Sequence, residues 1–276
     1  MLYQTELLCP KRPKVTLTSY VCDHAPNDHI PPRPAIIVCP GGSYRGLAKK
    51  EGEPVVRQFL AAGFNAYLLR YSVGEDAANY NPLVDVALAI CYVRKHAESH
   101  HSDPNRVFTC GFSAGGHLAA SAGVLWNIPE VREAIGVDSG LVPEGFNRPN
   151  GMILCYPVIT AGDYAHKNSI YYLCGTKTPT EEEKARFSLE CLVDPTTPPA
   201  FLWHTVEDKG VSVRNSLLMM NALLSLNIPF ESHIFPKGPH GLSLATKETW
   251  EGNEDYIVPH VAPWIDLAIR WVQDMF

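Results

Sequence analysis

Apolar residues along this chain fall into short continuous runs separated by longer stretches with helical spacing. Residues 35–39 (AIIVC) form an unbroken, largely β-branched run, the pattern of a strand covered on both faces. Residues 64–70 (FNAYLLR), 106–110 (RVFTC), 151–155 (GMILC), 200–204 (AFLWH) and 230–235 (FESHIF) read as further strands, and 15–21 alternates like an early, partly exposed one. Between them, 51–62, 82–98, 114–126 and 211–226 carry helical patterns, and 261–275 closes the chain with another. In the second of these, Val84, Leu88, Cys91 and Tyr92 fall at i, i+4, i+7 and i+8, a single apolar stripe. Pro82 suits its first turn, where a missing N–H costs nothing. This alternation predicts an α/β protein with a mostly parallel, twisted central sheet and helices on both faces. Two irregular stretches, 128–150 and 159–199, read as insertions between strands, since neither has its own set of periodic apolar elements. The second holds TPTEEE at 178–183, which looks like a short helix start, because carboxylates favour the positive end of a helix dipole. With neither repeat nor linker, residues 1–276 are expected to form a single domain.

Composition narrows the function. With 46% hydrophobic and 19% charged residues the chain is not of the disordered class. Lys and Arg number 23 against 29 Asp and Glu, and a net charge of −6 offers nothing to offset phosphate repulsion, so no nucleic-acid partner is expected. No apolar run approaches the ~18 residues of a membrane span. The first residues, MLYQTELLCPKRPK, lack the basic cluster and apolar stretch of a signal peptide. The eight cysteines are scattered without a C-x-x-C pair. Cys39, Cys110 and Cys155 sit in or at the end of apolar runs and read as buried, reduced thiols, which implies a cytoplasmic location.

The strongest local signal is Gly111-Phe112-Ser113-Ala114-Gly115, a G-x-S-x-G lying between a predicted strand and a predicted helix. A turn this sharp strains the serine backbone, and the glycines leave room for neighbouring chain. The hydroxyl is thereby presented at the carboxyl end of the sheet, under a helix N-terminus that favours developing negative charge. A serine needs a base, and in this architecture the order along the chain is serine, acid, histidine. His240, in Lys237-Gly238-Pro239-His240-Gly241 after the strand 230–235, is the best-placed late histidine. The acid is expected in the exit loop of strand 200–204, Thr205-Val206-Glu207-Asp208. Asp208 is preferred, with Glu207 read as a solvated surface acid; what mainly separates the two is the resemblance below. An oxyanion hole would use the N–H of Ala114 and those of Gly42 and Ser43 in the loop Pro40-Gly41-Gly42-Ser43-Tyr44, each donor worth ~3 kcal/mol of barrier. His204 and His233, inside strands, read as structural; His117 as packing or bonding locally; His100-His101 as a solvated helix end. The histidines are too dispersed for a metal motif, so neither metal nor cofactor is expected. Tyr44, Trp126, Tyr164 and His166 are candidates for lining a pocket and are left out of the catalytic set.

Five ordered motifs carry a resemblance: CPGGSY at 39–44, GFSAGGH at 111–117, CYPVI at 155–159, FLWHTVED at 201–208 and FPKGPHGL at 235–242. Together they resemble the α/β-hydrolase esterases, closest to the intracellular acetyl esterase and acetylxylan-esterase-like group, which takes in sugar hydrolases and is related to the hormone-sensitive-lipase-type esterases. The likeness runs from about residue 35 to residue 244. In that group the triad acid is an aspartate three residues before a Val-Pro-like pair, and Asp208 fits with Val211-Ser212. Ser43 stands where a glycine is usual, and Pro40 where the wider family has histidine. The resemblance implies an α/β-hydrolase fold and a Ser113–His240–Asp208 triad. It also implies hydrolysis of short-chain acyl esters, acetyl groups on plant-derived oligosaccharides foremost. The expected partner is a small-molecule ester, neither nucleic acid nor membrane, with a homo-oligomer left open. Two rivals share these features: a prolyl-oligopeptidase-type serine peptidase, for whose extra domain the chain lacks length, and a non-catalytic binding protein of the same fold, whose triad would be expected to be broken.

Overall fold

Side chains of successive strand residues point to opposite faces, and in the central strands both faces are apolar. That alternation builds two cores. The computed structural model describes residues 1–24 and 29–275. Its strands are β1 (Leu2–Leu7), β2 (Thr16–Val21), β3 (Arg33–Cys39), β4 (Asn65–Arg70), β5 (Ser102–Phe112), β6 (Gly151–Cys155), β7 (Ala200–Thr205) and β8 (Phe230–Phe235). They form one sheet in the order β1-β2-β4-β3-β5-β6-β7-β8. β2 runs against the rest, and every pair from β4 through β8 is parallel.

The helices are α1 (Glu53–Ala61), α2 (Asn81–Lys95), α3 (Ala114–Val124), α4 (Pro129–Ile135), α5 (Lys167–Cys174), α6 (Glu181–Ala185), α7 (Arg214–Ser225) and α8 (Trp264–Met275). Ile36 and Val38 of β3, Ile153 of β6 and Phe201 and Trp203 of β7 pack with Phe59 of α1 and Trp264 and Trp271 of α8. Ile37, Leu154 and Leu202 from the same strands face the other way, onto Val86 and Ile90 of α2, Leu118 of α3 and Met219 of α7. Helices therefore cover both faces, as the alternation predicts. Among the described residues no helix is long and apolar enough to cross a membrane.

Several boundaries differ from those read in the sequence. The segment 51–62 divides into a short turn at Lys49–Glu51 and α1, which starts at Glu53 with Pro54 in its first turn. The stretch 128–150 contains α4, and 159–199 contains α5 and α6. α6 opens on a capping box between Thr180 and Glu183, in line with the helix start expected there. His100 is not a solvated helix end. It is buried, and its Nδ1 lies 2.9 Å from the Tyr67 hydroxyl; His101 is half-buried and bonds the Ile30 carbonyl. Cys39, Cys110 and Cys155 are buried and unpaired.

One topological feature positions the site. β3 lies between β4 and β5, so the chain leaves β3 to one side for β4 and returns on the other as β5. Connections diverging at the carboxyl ends of adjacent parallel strands open a crevice, the usual ligand position in such sheets.

Candidate active site

Ser113 sits at the β5–α3 junction with φ 53° and ψ −117°, a conformation that costs roughly 1–3 kcal/mol. The neighbouring glycines explain how it is held. A Cβ on Gly111 would lie 2.0 Å from the Gly115 carbonyl oxygen, and one on Gly115 would lie 2.1 Å from that of Cys39 and 2.4 Å from that of Pro40. Only glycine lets strand, turn and helix approach so closely. The Ser113 N–H donates to the Cys155 carbonyl at 3.0 Å, and the Ser113 carbonyl accepts from Val158 at 3.0 Å and His117 at 3.1 Å, so the turn is fixed on both sides.

The structure brings Ser113, His240 and Asp208 into one line. His240 Nε2 is 2.8 Å from Ser113 Oγ and its Nδ1 is 2.7 Å from Asp208 Oδ2. An ionised carboxylate only accepts, so Nδ1 carries the proton and Nε2 faces the serine as an acceptor. His240 rides on the loop after β8, and Gly210 admits it: a Cβ there would lie 2.8 Å from the His240 Cβ. Asp208 is 7% exposed, and its Oδ1 accepts from the Gly210 and Val211 N–H groups at 2.8 Å each. Burial alone would raise its pKa. Hydrogen bonds from His204 and His240, the positive charge His240 can carry and the Val211 N–H outweigh burial and hold the carboxyl below the usual carboxylate range. Glu207, the other acid of that loop, is exposed.

The loop after β3 turns through three consecutive positive φ angles, 130° at Gly42, 61° at Ser43 and 56° at Tyr44. The N–H groups of Gly42, Ser43 and Ala114 have no acceptor among the described residues. Three side chains and one backbone amide hold this loop. Tyr71 donates to the Pro40 carbonyl at 2.5 Å, and the Gly41 N–H donates to Glu51 Oε2 at 2.8 Å. The Gly74 N–H donates to the Tyr44 carbonyl at 2.7 Å, and the Tyr44 hydroxyl meets His117 Nδ1 at 2.9 Å. His117 Nε2 lies 3.1 Å from the Phe187 carbonyl, which makes Nε2 the donor and leaves Nδ1 to accept from Tyr44. Burial lowers the His117 pKa to about 4, so the ring is neutral. Tyr44 is thus packed away as an anchor. Trp126 bonds Thr196 and is likewise mostly buried. Tyr164 is exposed beneath Arg214. His166 bonds Ser169; burial and then the charge of His240 lower its pKa while Asp208 opposes them, which puts it within electrostatic range of the line.

Two residues beside the line were not assigned a site role from the sequence. His204 is fully buried, and its Nε2 is 2.9 Å from the Val211 carbonyl and 3.2 Å from Asp208 Oδ2, so a second imidazole touches the acid. Glu51 is 3% exposed and accepts from Gly41 and, at 2.7 Å, from the Tyr156 hydroxyl. Its surroundings, Lys49-Lys50-Glu51-Gly52-Glu53, have the composition of a solvated charge run. An open cleft of about 860 Å³ borders His240, with Lys209, Lys237 and Tyr256 in its wall. A second, of about 520 Å³, lies beyond the loop after β3, between Arg45, Glu75, Asn168 and Tyr171.

Residues 24–223, nearly three-quarters of the chain, match the BD-FAE family. The chain belongs to the BD-FAE family. This BD-FAE chain is 38% identical over 239 residues to endo-1,4-beta-xylanase B of Butyrivibrio fibrisolvens, covering 83% of the chain and 36% of that protein. It is 27% identical over 236 residues to the acetylxylan esterase of Xylanibacter ruminicola, covering 84% of the chain and 45% of the relative. It therefore spans less than half the length of these curated relatives. Among solved structures, the acetyl ester-xyloside bifunctional hydrolase from Caldicellulosiruptor lactoaceticus superposes with a TM-score of 0.80 at 35% identity, over 97% of this chain and 90% of that one. The carboxylesterase Cest-2923 from Lactobacillus plantarum gives 0.85 at 29% identity, over 100% and 98%. The BD-FAE chain has the α/β-hydrolase fold. The family match spans Ser113 and Asp208 and ends before His240.

Proposed function

We propose that this BD-FAE chain hydrolyses short-chain acyl esters, acetyl esters of oligosaccharides foremost, through an acyl-enzyme on Ser113. The observation that carries the reading is the unbroken line Asp208–His240–Ser113, with contacts of 2.7 and 2.8 Å. Ser113 Oγ attacks the ester carbonyl while His240 Nε2 takes its proton. Asp208 keeps the imidazole in the productive tautomer and stabilises its cation. Negative charge on the carbonyl oxygen is met by the unpartnered amides of Gly42, Ser43 and Ala114 and by the N-terminus of α3. When the tetrahedral adduct collapses, the C–O bond to the alcohol breaks and His240 returns the proton to the leaving oxygen. Water then attacks the acyl-enzyme, with His240 again as base, and releases the acid.

The sugar assignment draws support from the relatives, whose names include acetylxylan esterase and acetyl ester-xyloside hydrolase. Because one sheet carries all of these groups, residues 1–276 are proposed to act as a single catalytic unit. The unpaired buried cysteines suit a reducing compartment, and a cytoplasmic site of action is part of the proposal.

Release assays across acetylated xylo-oligosaccharides, chromogenic esters of increasing acyl length and a dipeptide amide test the reading. Acetyl esters should be the best substrates, and Ser113→Ala should lower kcat by about 10⁴-fold or more. A preference for long acyl chains would remove the carbohydrate assignment, and amide turnover above ester turnover would replace it with a peptidase.

A further inference from the structure

The proposed chemistry needs two loops to face each other within tenths of an ångström: the oxyanion loop after β3 and the histidine loop after β8. Their strands are separated in the sheet by β5, β6 and β7. Glu51 bridges the gap. Its Oε2 accepts from the Gly41 N–H at 2.8 Å, one residue before the oxyanion donor Gly42. Its Oε1 accepts from the Tyr156 hydroxyl at 2.7 Å. That hydroxyl in turn accepts from the Ser243 N–H at 2.9 Å, three residues beyond His240. The Tyr156 ring packs edge-on against the His240 imidazole, with centroids 5.1 Å apart. Ser243 Oγ donates to the Lys50 carbonyl at 2.7 Å, a second tie between the same two segments.

Burying a carboxylate is costly unless its lone pairs are matched. Here each oxygen accepts one hydrogen bond, Oε2 from the Gly41 N–H of the first loop and Oε1 from the Tyr156 phenol, which in turn holds the Ser243 N–H of the second. An apolar contact would join the loops at lower desolvation cost, but it would not fix the direction of the Gly41 amide or the seat of Tyr156 under His240. Burial raises the Glu51 pKa, and the Tyr156 hydroxyl, the charge of His240 and the Gly41 N–H pull it back toward ionisation. Tyr156 is pushed up by its burial, so it stays a donor.

We propose that Glu51, acting through Tyr156, is a positioning residue that holds the oxyanion loop and the histidine loop in register with each other. The inference rests on the reading that Ser113 and His240 carry out ester hydrolysis. Loss of register misplaces groups that act on the transition state, so the cost falls on kcat rather than on KM.

Donor and acceptor arithmetic supplies the test. A glutamine at 51 keeps one acceptor oxygen and replaces the other with an NH2 donor, so it cannot accept from both Gly41 and Tyr156; one of those donors loses its acceptor and the relay is broken or reversed. With a chromogenic acetate ester, Glu51→Gln should lower kcat by about 10- to 100-fold while KM stays within about twofold. Tyr156→Phe, which deletes the hydroxyl relay, should do the same. The double variant should be no worse than the poorer single one, because phenylalanine removes the donor that glutamine cannot accept. A purely structural role would instead lower the melting temperature and leave kcat unchanged well below it. Folded single variants with wild-type kcat, a loss confined to KM, or single effects that multiply in the double variant would each overturn the inference. If Glu51→Gln does not fold, Tyr156→Phe decides alone. Ser113→Ala run in parallel keeps the two claims apart: turnover surviving there sinks the triad, whereas a dead Ser113→Ala beside a fully active Glu51→Gln sinks only the positioning role.

Discussion

His117 shows how one buried side chain ties stability to pH. Its neutral ring accepts from Tyr44 and donates to the Phe187 carbonyl, and burial lowers its pKa to about 4 from the ordinary 6.5. Below pH 6.5 the unfolded imidazole takes up a proton that the native one refuses until about pH 4. The contribution of His117 to stability is therefore complete above that window and is lost as pH drops through it, by about 3 kcal/mol in all. Urea midpoints measured from about pH 4 to pH 7 should fall with falling pH in the wild type, and the slope should be shallower in His117→Gln. An equal slope in both would assign the effect to other groups. Ser113 stood out in the sequence because its constraint is local: the glycines two residues to either side are demanded by the turn itself. Glu51 and His204 did not, because what gives them meaning arrives from elsewhere. Glu51 meets Tyr156 across 105 residues, and His204 reaches Asp208 only once the loop after β7 has folded back.

Elements were legible where burial is two-sided. β3, β6 and β7 appear in the sequence as apolar runs because both faces pack into core. β1 was not seen: Leu2, Tyr3 and Leu7 are exposed on an edge strand that is held through its ladder with β2. α4 buries only Val131 and Ile135, too short a stripe to register as periodic. α7 begins at Arg214 rather than at 211, and the Gly210 and Val211 N–H groups ahead of it bond Asp208. α8 begins at Trp264, immediately after Pro263, and the residue before a proline is disfavoured in helix. The β5–α3 turn is the least forgiving element. Gly115→Ala would drive a methyl to 2.1 Å from the Cys39 carbonyl oxygen, the strand end that leads into the oxyanion loop. Relief requires the two chains to separate, which should cost about 1–3 kcal/mol or more and lower the melting temperature by several degrees, with kcat falling further than KM rises. Thermal melts and acetate-ester kinetics on the same preparation check both. An unchanged melt would mean that the elbow has slack the static contacts do not show.

At the scale of the molecule, the sheet order does the assembling. The divergence of the chain around β3 opens the crevice, β5 delivers Ser113 into it, and the loops after β7 and β8 bring Asp208 and His240 to the same end. The sequence conveyed the order of these elements, and with it the direction in which each loop must leave the sheet. It did not convey the distances, because contacts between residues 127 positions apart are fixed by packing and not by local pattern. The central claim is that this convergence makes Ser113 a nucleophile that carries the acyl group. Rapid-quench mass spectrometry during turnover of a chromogenic acetate ester tests it most directly. The account predicts a transient mass increase of one acetyl group, mapped to the peptide containing Ser113, that is absent in Ser113→Ala and strongly diminished in His240→Ala. Steady turnover with the acetyl group on another residue, or persisting in Ser113→Ala, would contradict it.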